Sequence, residues 1–142
     1  MRCLHWLIAA ASMLPLPLLA CDGLALVQPW IREAPPGAAV MAGYGKLVNN
    51  GSKPVTIASI SSPDFGSVEI HQSSMADGRM RMRRADPLTL APGQSVELTP
   101  GGYHLMLMQT KQPLLAGRSH LLLHCADGDL AADFPVRAPA SE

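Results

Sequence analysis

The sequence predicts an all-β, single-domain protein, folded as a two-sheet sandwich or Greek-key barrel. Three observations carry that reading. Short apolar runs recur between turn signals from residue 24 onward; no spacing of three to four residues persists as in an amphipathic helix; and Asn-Gly, Asp-Gly or Pro-Gly pairs interrupt the chain regularly.

Residues 24–31 read as the first strand, in which Pro29 lacks an amide donor and so places the strand at a sheet edge. Pro35-Pro36-Gly37 ends the pattern. Residues 41–48 give a second strand, and Asn49-Asn50-Gly51-Ser52, residue types that tolerate positive φ, turn the chain into a third at 55–60. Residues 68–71 and 79–83 flank a segment holding the favoured turn pair Asp77-Gly78, across a loop longer than a minimal hairpin allows. Pro92-Gly93 and Pro100-Gly101-Gly102 separate short strands at 88–90, 95–98 and 103–109. Asp127-Gly128 divides the last two, 120–125 and 130–136, and residues 138–142 are left as a loose tail.

Residues 1–20 read as a signal peptide: Arg2 is the only formal charge, and the apolar run behind it is broken by Pro15 and Pro17. That run is too short and too interrupted for a membrane-spanning helix. Leu18-Leu19-Ala20-Cys21 has the shape of a lipoprotein cleavage box, with ordinary cleavage after Ala20 as the rival. Either cut leaves residues 21–142, enough chain for one modest core. Cys21 and Cys125 then remain in a compartment that permits disulfides. Lipidation of Cys21 would use its sulfur as a thioether, so a lipid anchor and a Cys21–Cys125 bridge exclude each other.

Eleven basic residues balance eleven acidic ones, and the densest basic stretch, 79–84, is interleaved with methionine rather than aromatics. The footprint of a nucleic-acid binder is missing. No hydrolase motif surrounds any serine or cysteine, so the chain is read as no enzyme.

Met75, Met80, Met82, Met106 and Met108 all fall close in sequence to His71 or His104. A thioether is a soft ligand with no proton to lose; it suits Cu(I), and imidazole can complete such a site. On a strand, His104, Met106 and Met108 point one way and Leu105 and Leu107 the other, so one face can bind while the other packs. Arg79-Met80-Arg81-Met82-Arg83 repeats the alternation.

Ten residues separate His71 from Met82, twenty-one separate Met82 from His104, and one separates His104 from Met106. This spacing resembles the H-x10-M-x21-H-x-M signature of the PCu(A)C family of periplasmic copper chaperones. Val68-Glu69-Ile70-His71, Trp30-Ile31-Arg32-Glu33-Ala34-Pro35-Pro36-Gly37, Met41-Ala42-Gly43-Tyr44 and 100–108 extend the resemblance over nearly the whole chain after the signal. It implies a cupredoxin-like fold and one Cu(I) held by His71, Met82, His104 and Met106. It also implies a place in the bacterial periplasm, soluble or lipid-anchored, and delivery of copper to the copper-centre subunit of cytochrome c oxidase or another copper-assembly protein. Ser73 stands where some members carry a further methionine, and the tail lacks their His- and Met-rich extension, so no second, Cu(II)-selective site is expected.

Met75, Met80 and Met108 are candidates for an outer ring around the ion. His120 and His124 share a strand face without a methionine or carboxylate beside them, and read as structural or solvated. Two other functions stay open: a cupredoxin-like electron carrier, which would need a cysteine thiolate beside two histidines, and a structural β-sandwich without metal, which leaves the ligand spacing unexplained.

Overall fold

The computed structural model describes residues 21–111, 114 and 117–138. The expected signal peptide and residues 139–142 of the expected tail lie outside the described residues. Ten strands follow in order: β1 (Leu24–Arg32), β2 (Val40–Asn49), β3 (Val55–Ser61), β4 (Phe65–Ala76), β5 (Arg79–Arg84), β6 (Leu88–Leu90), β7 (Ser95–Leu98), β8 (Tyr103–Thr110), β9 (Arg118–Cys125) and β10 (Gly128–Arg137). The pairings β4–β8, β8–β2, β2–β1, β1–β10, β10–β9, β9–β3 and β3–β4 close on themselves, and β7 inserts beside β2 and β8. The result is an eight-strand barrel, with β5 added at the free edge of β4 and β6 at that of β3.

Period-two burial fills the barrel. Ile70 on β4, Leu105 and Leu107 on β8, Leu121 and Leu123 on β9 and Phe134 on β10 turn inward and are all but sealed from solvent. Each such aliphatic or aromatic side chain stabilises the fold by about 1.5–3 kcal/mol relative to exposure. The opposite faces of β4 and β8 are thereby left on the outside of the wall.

Three expectations need correction. β1 is no edge strand, since it lies between β2 and β10. Pro29 is tolerated there because the β1–β2 register slips between Val27 and Trp30, a bulge in which Gln28 takes φ 47° and no ladder bond is asked of the proline. The β4–β5 connection is a minimal hairpin after all. β4 runs on through Gln72-Ser73-Ser74 to Ala76, which pairs with Arg79, leaving Asp77 and Gly78 as the two turn residues, both at positive φ.

The turn after β2 uses no positive φ within 49–52. Asn49 is fully buried instead, donating from Nδ2 to the carbonyls of Lys53 (2.8 Å) and Leu90 (3.1 Å) and accepting the Gly51 amide at Oδ1 (2.9 Å). The side chain does the work of a backbone turn. β2 and β3, although consecutive, do not pair, so the turn carries the chain from one part of the wall to another.

Cys21 and Cys125 are joined as a disulfide, 104 residues apart in sequence, which ties the residue preceding Asp22 to the end of β9. Asp22 reinforces the tie, its amide donating to Asp127 Oδ2 at 2.8 Å.

Candidate metal centre

Residues directly opposite one another in neighbouring strands share a face. On the outer face of β5, β4 and β8, Met82 lies opposite Ser73, Arg84 opposite His71, His71 opposite His104, and Glu69 opposite Met106. β2 continues the row, with Ala42 opposite Met106. The four expected ligands thus fall on three adjacent strands of one face. Backbones two strands apart are about 10 Å distant, a gap that a long thioether on β5 and an imidazole on β8 can close over the small Ser73 between them.

Two turns set this register. The type I′ pair Asp77-Gly78 fixes Met82 opposite Ser73; a slip of one residue would throw Met80 and Met82 to the other face. Before β8, Gly101 takes φ 82°, and the amide of Gly102 donates to the Thr99 carbonyl at 3.1 Å, which delivers His104 near the strand's start. Ile70 and Leu105 anchor the same stretches from the core side.

Ser73, Met80, Met82, His104 and Met106 line a cleft of about 420 Å³ together with residues that include Arg32, Glu33, Ala34 and Pro35; His71 is not among its lining residues. His71 and His104 stand with ring centroids 6.0 Å apart and planes tilted by 49°. Exposure grades across the site: His104 is 6 % exposed, whereas Met82 on the edge strand is 49 % exposed. A larger cavity of about 670 Å³, between residues 33–39 and Gln109-Thr110, holds none of the four.

Hydrogen bonds define what each ring offers. His104 Nδ1 lies 3.1 Å from the Gly102 carbonyl. A carbonyl only accepts, so Nδ1 carries the proton and Nε2 keeps a lone pair. His71 Nε2 lies 2.7 Å from Glu69 Oε2, and His71 Nδ1 is buried with no hydrogen-bond partner among the described residues. Arg84 donates from Nη1 to Glu69 Oε1 (3.1 Å) and grips Asp86 through Nε (2.6 Å) and Nη2 (2.9 Å). The Arg84 hydrogen bond holds the Asp86 carboxyl below the usual aspartate range, with burial opposing it, and raises Arg84 in return. Two imidazoles with free lone pairs beside thioethers suit a soft cation.

Other sequence candidates sort differently. Met80 lines the cleft with Met82. Met75, opposite Met80, is 66 % exposed, and Met108 sits opposite Ser67, a full repeat further along β8 from His104 than Met106. His120 and His124, expected to lack carboxylate company, gain it from the neighbouring strand: Asp133 and Asp129 bond their Nδ1 atoms. Ser61 Oγ meets His124 Nε2 at 2.7 Å, so Ser61, His124 and Asp129 connect as a nucleophile, base and carboxylate would. Ser61 is exposed, and neither cavity above touches this chain. Cys21, Cys125 and Asp127 also cluster, but both sulfurs are spent on each other. The sequence reading missed Glu69 and Arg84. Glu69 carried a signal, standing two before His71 on the same strand face.

Comparison with known proteins gives a consistent pattern. A family model described as lipoprotein LpqE-like matches residues 24–136. The chain is 29 % identical over 123 residues to Lxx21020 of Leifsonia xyli subsp. xyli, also named as a lipoprotein, covering 85 % of this chain and 71 % of that one. Among solved structures it is similar to the copper-bound PCuAC domain from PmoF2, at 26 % identity and a TM-score of 0.68, over 84 % of this chain and 97 % of that one. It is also similar to the CuI form of DR1885 from Deinococcus radiodurans, at 26 % identity and a TM-score of 0.56, over 89 % and 83 %.

Proposed function

The chain belongs to the LpqE-like family and has the fold of PCuAC domains, and from that premise we propose that it is a copper chaperone of the bacterial envelope. It holds one Cu(I) through His71, Met82, His104 and Met106, and passes it to the copper-centre subunit of cytochrome c oxidase or to another copper-assembly protein. One observation carries the reading: the orphaned His71 Nδ1 and the free Nε2 of His104 share a face with the sulfurs of Met82 and Met106. Two thioethers and two neutral imidazoles favour the reduced ion and reject cations that want oxygen.

The grading of exposure fits transfer rather than storage. His104 anchors the ion from within, while Met82 sits half-exposed on an edge strand, where an incoming ligand from a recipient can replace it first. A resident electron-transfer site would want a thiolate ligand, and both Cys21 and Cys125 are bonded to each other. The lipoprotein description of the family and of Lxx21020 supports a place in the cell envelope.

Titration of the purified domain with Cu(I) against a competing chelator tests the proposal. One ion per chain, retained against the chelator and released to an apo oxidase copper domain, is the expected result. Weak uptake of several ions, or tight binding that no recipient can draw off, would overturn it.

A further inference from the structure

We propose that Glu69 is the positioning residue of this centre: it fixes the His71 imidazole so that Nδ1 is the atom turned to copper, and Arg84 holds Glu69 in place. The inference rests on the copper reading above and names how one of its ligands is oriented.

The two nitrogens of the His71 ring have different surroundings. Nε2 of His71 sits 2.7 Å from Glu69 Oε2. An ionised carboxylate can only accept, so the neutral ring carries its proton on Nε2, and Nδ1 is left with the lone pair. That Nδ1 is buried and has no partner among the described residues. A buried polar atom without a hydrogen bond is costly to leave unmade, and a metal ion satisfies it. Histidines that bind metals commonly donate their other N–H to a carboxylate, which settles tautomer and ring angle together.

His104 supplies the contrast. Its Nδ1 is held by a backbone carbonyl at Gly102, so its free nitrogen is Nε2. The two rings thus offer opposite nitrogens, one oriented by the main chain and one by a side chain. Only the second orientation depends on a side chain that substitution can remove.

Glu69 is itself constrained. Its other oxygen accepts from Arg84 Nη1 at 3.1 Å, and Arg84 is clamped by two bonds to Asp86, whose side chain is 2 % exposed. Arg84 lies opposite His71 on the edge strand, two residues from Met82. The Glu69–Arg84 contact therefore also ties the strand bearing Met82 to the strand bearing His71. An ordinary surface ion pair would not also leave a buried imidazole nitrogen unpartnered.

The test uses the whole exported domain, first without metal. Long-range proton–nitrogen correlation NMR on ¹⁵N-histidine protein reads the His71 tautomer directly. The wild type should show the proton on Nε2; Glu69→Ala should lose that preference while staying folded by circular dichroism. Glu69→Gln offers one oxygen for two donors; with Arg84 Nη1 taking it, the amide NH2 faces His71 and the proton should move to Nδ1. With Cu(I) added, the His71 coordination shift should fall on Nδ1, and Glu69→Ala should bind about 10- to 100-fold more weakly, with Glu69→Gln no tighter than Glu69→Ala. A wild-type His71 protonated on Nδ1, or a tautomer and affinity unmoved by Glu69→Ala, would overturn the proposal. Should the wild type fail to bind Cu(I) at all, the copper reading falls, and the metal-free tautomer still decides whether Glu69 orients His71.

Discussion

His71 and His104 sit directly opposite each other on β4 and β8, centroids 6.0 Å apart, with Ile70 and Leu105 behind them sealed in the core. The pairing separates two jobs along each strand: the inward residues hold the wall and the outward rings are free for a ligand. His71→Ala and His104→Ala should each weaken Cu(I) retention more than tenfold, about 1.4 kcal/mol. They should differ in stability. Truncating His104, 6 % exposed, removes one of the two donors to the Gly102 carbonyl, the Ser73 amide keeping the other at 3.0 Å, a loss of about 0.5–1.5 kcal/mol. Paired chelator titrations and denaturant melts on the two variants check both statements.

Adding Cu(II) should produce no intense blue colour. That band needs charge transfer from a thiolate, and the sulfurs of Cys21 and Cys125 are bonded to each other on β9's side of the barrel, away from the cleft residues. A visible absorption spectrum on the oxidised, metal-loaded protein is sufficient. A strong band would assign the chain to electron transfer.

Much of the wall was legible because alternation and turn chemistry are local. The strands on either side of Pro100-Gly101-Gly102 fall where the sequence puts them, and Leu105 and Leu107 face the core as the period requires. Neighbours were not legible. Nothing in residues 24–31 says that β1 will be covered by β10, which arrives a hundred residues later, so Pro29 read as an edge marker when a bulge had absorbed it. Asn49 was legible as a turn former but not as a buried one, because its partner Leu90 is far off in sequence. The site divides the same way. Spacing picks out the four expected ligands, whereas Glu69 was missed although it stands two residues before His71 on the same strand face. The Arg84–Glu69 contact depends on the β4–β5 register, which the hairpin fixes only once β4 is known to extend to Ala76.

Acid should loosen the hairpin that carries Met82. Asp86 is held below its ordinary value chiefly by Arg84. A carboxyl lowered on folding contributes stability that is present above the unfolded value, about 3.9, and lost as pH falls through the lower folded value. Asp86→Asn should therefore be less stable than the wild type at pH 7, and the gap should narrow as pH drops below about 4. Melting temperatures of both proteins across pH 7 to 2.5 test this; a gap that widens in acid would refute the role given to Asp86.

The disulfide and a lipid on Cys21 compete for one sulfur. In the structure the sulfur belongs to Cys125. Intact-mass measurement of the native exported protein should find a chain two hydrogens lighter than its reduced form; a diacylglycerol-type increase on Cys21 would rule the bridge out. Because the bridge closes a loop of 104 residues, Cys125→Ser should lower stability by about 2–5 kcal/mol in oxidising buffer and leave the reduced protein nearly unchanged.

The methionines give the sharpest test of the ligand set. Met106 and Met108 share a strand and a face, yet only Met106 borders the cleft, next to His104. Leucine nearly conserves methionine's volume, so hydrophobicity and strand propensity are equal within the pair and only distance from the ion differs. Met106→Leu should weaken Cu(I) binding more than tenfold, about 1.4 kcal/mol, and Met108→Leu should stay near the wild type. On β5 the contrast should be smaller. Met80 and Met82 both line the cleft, but Met82 is opposite Ser73, beside the histidine pair, and Met80 one repeat further toward the turn. Met82→Leu should therefore cost the full ligand loss, while Met80→Leu slows uptake or release more than it changes affinity. Stopped-flow exchange with a chelator separates rate from affinity. Equal affinity losses within both pairs would sink the four-ligand centre and leave a methionine-rich face that shares copper among several weak arrangements.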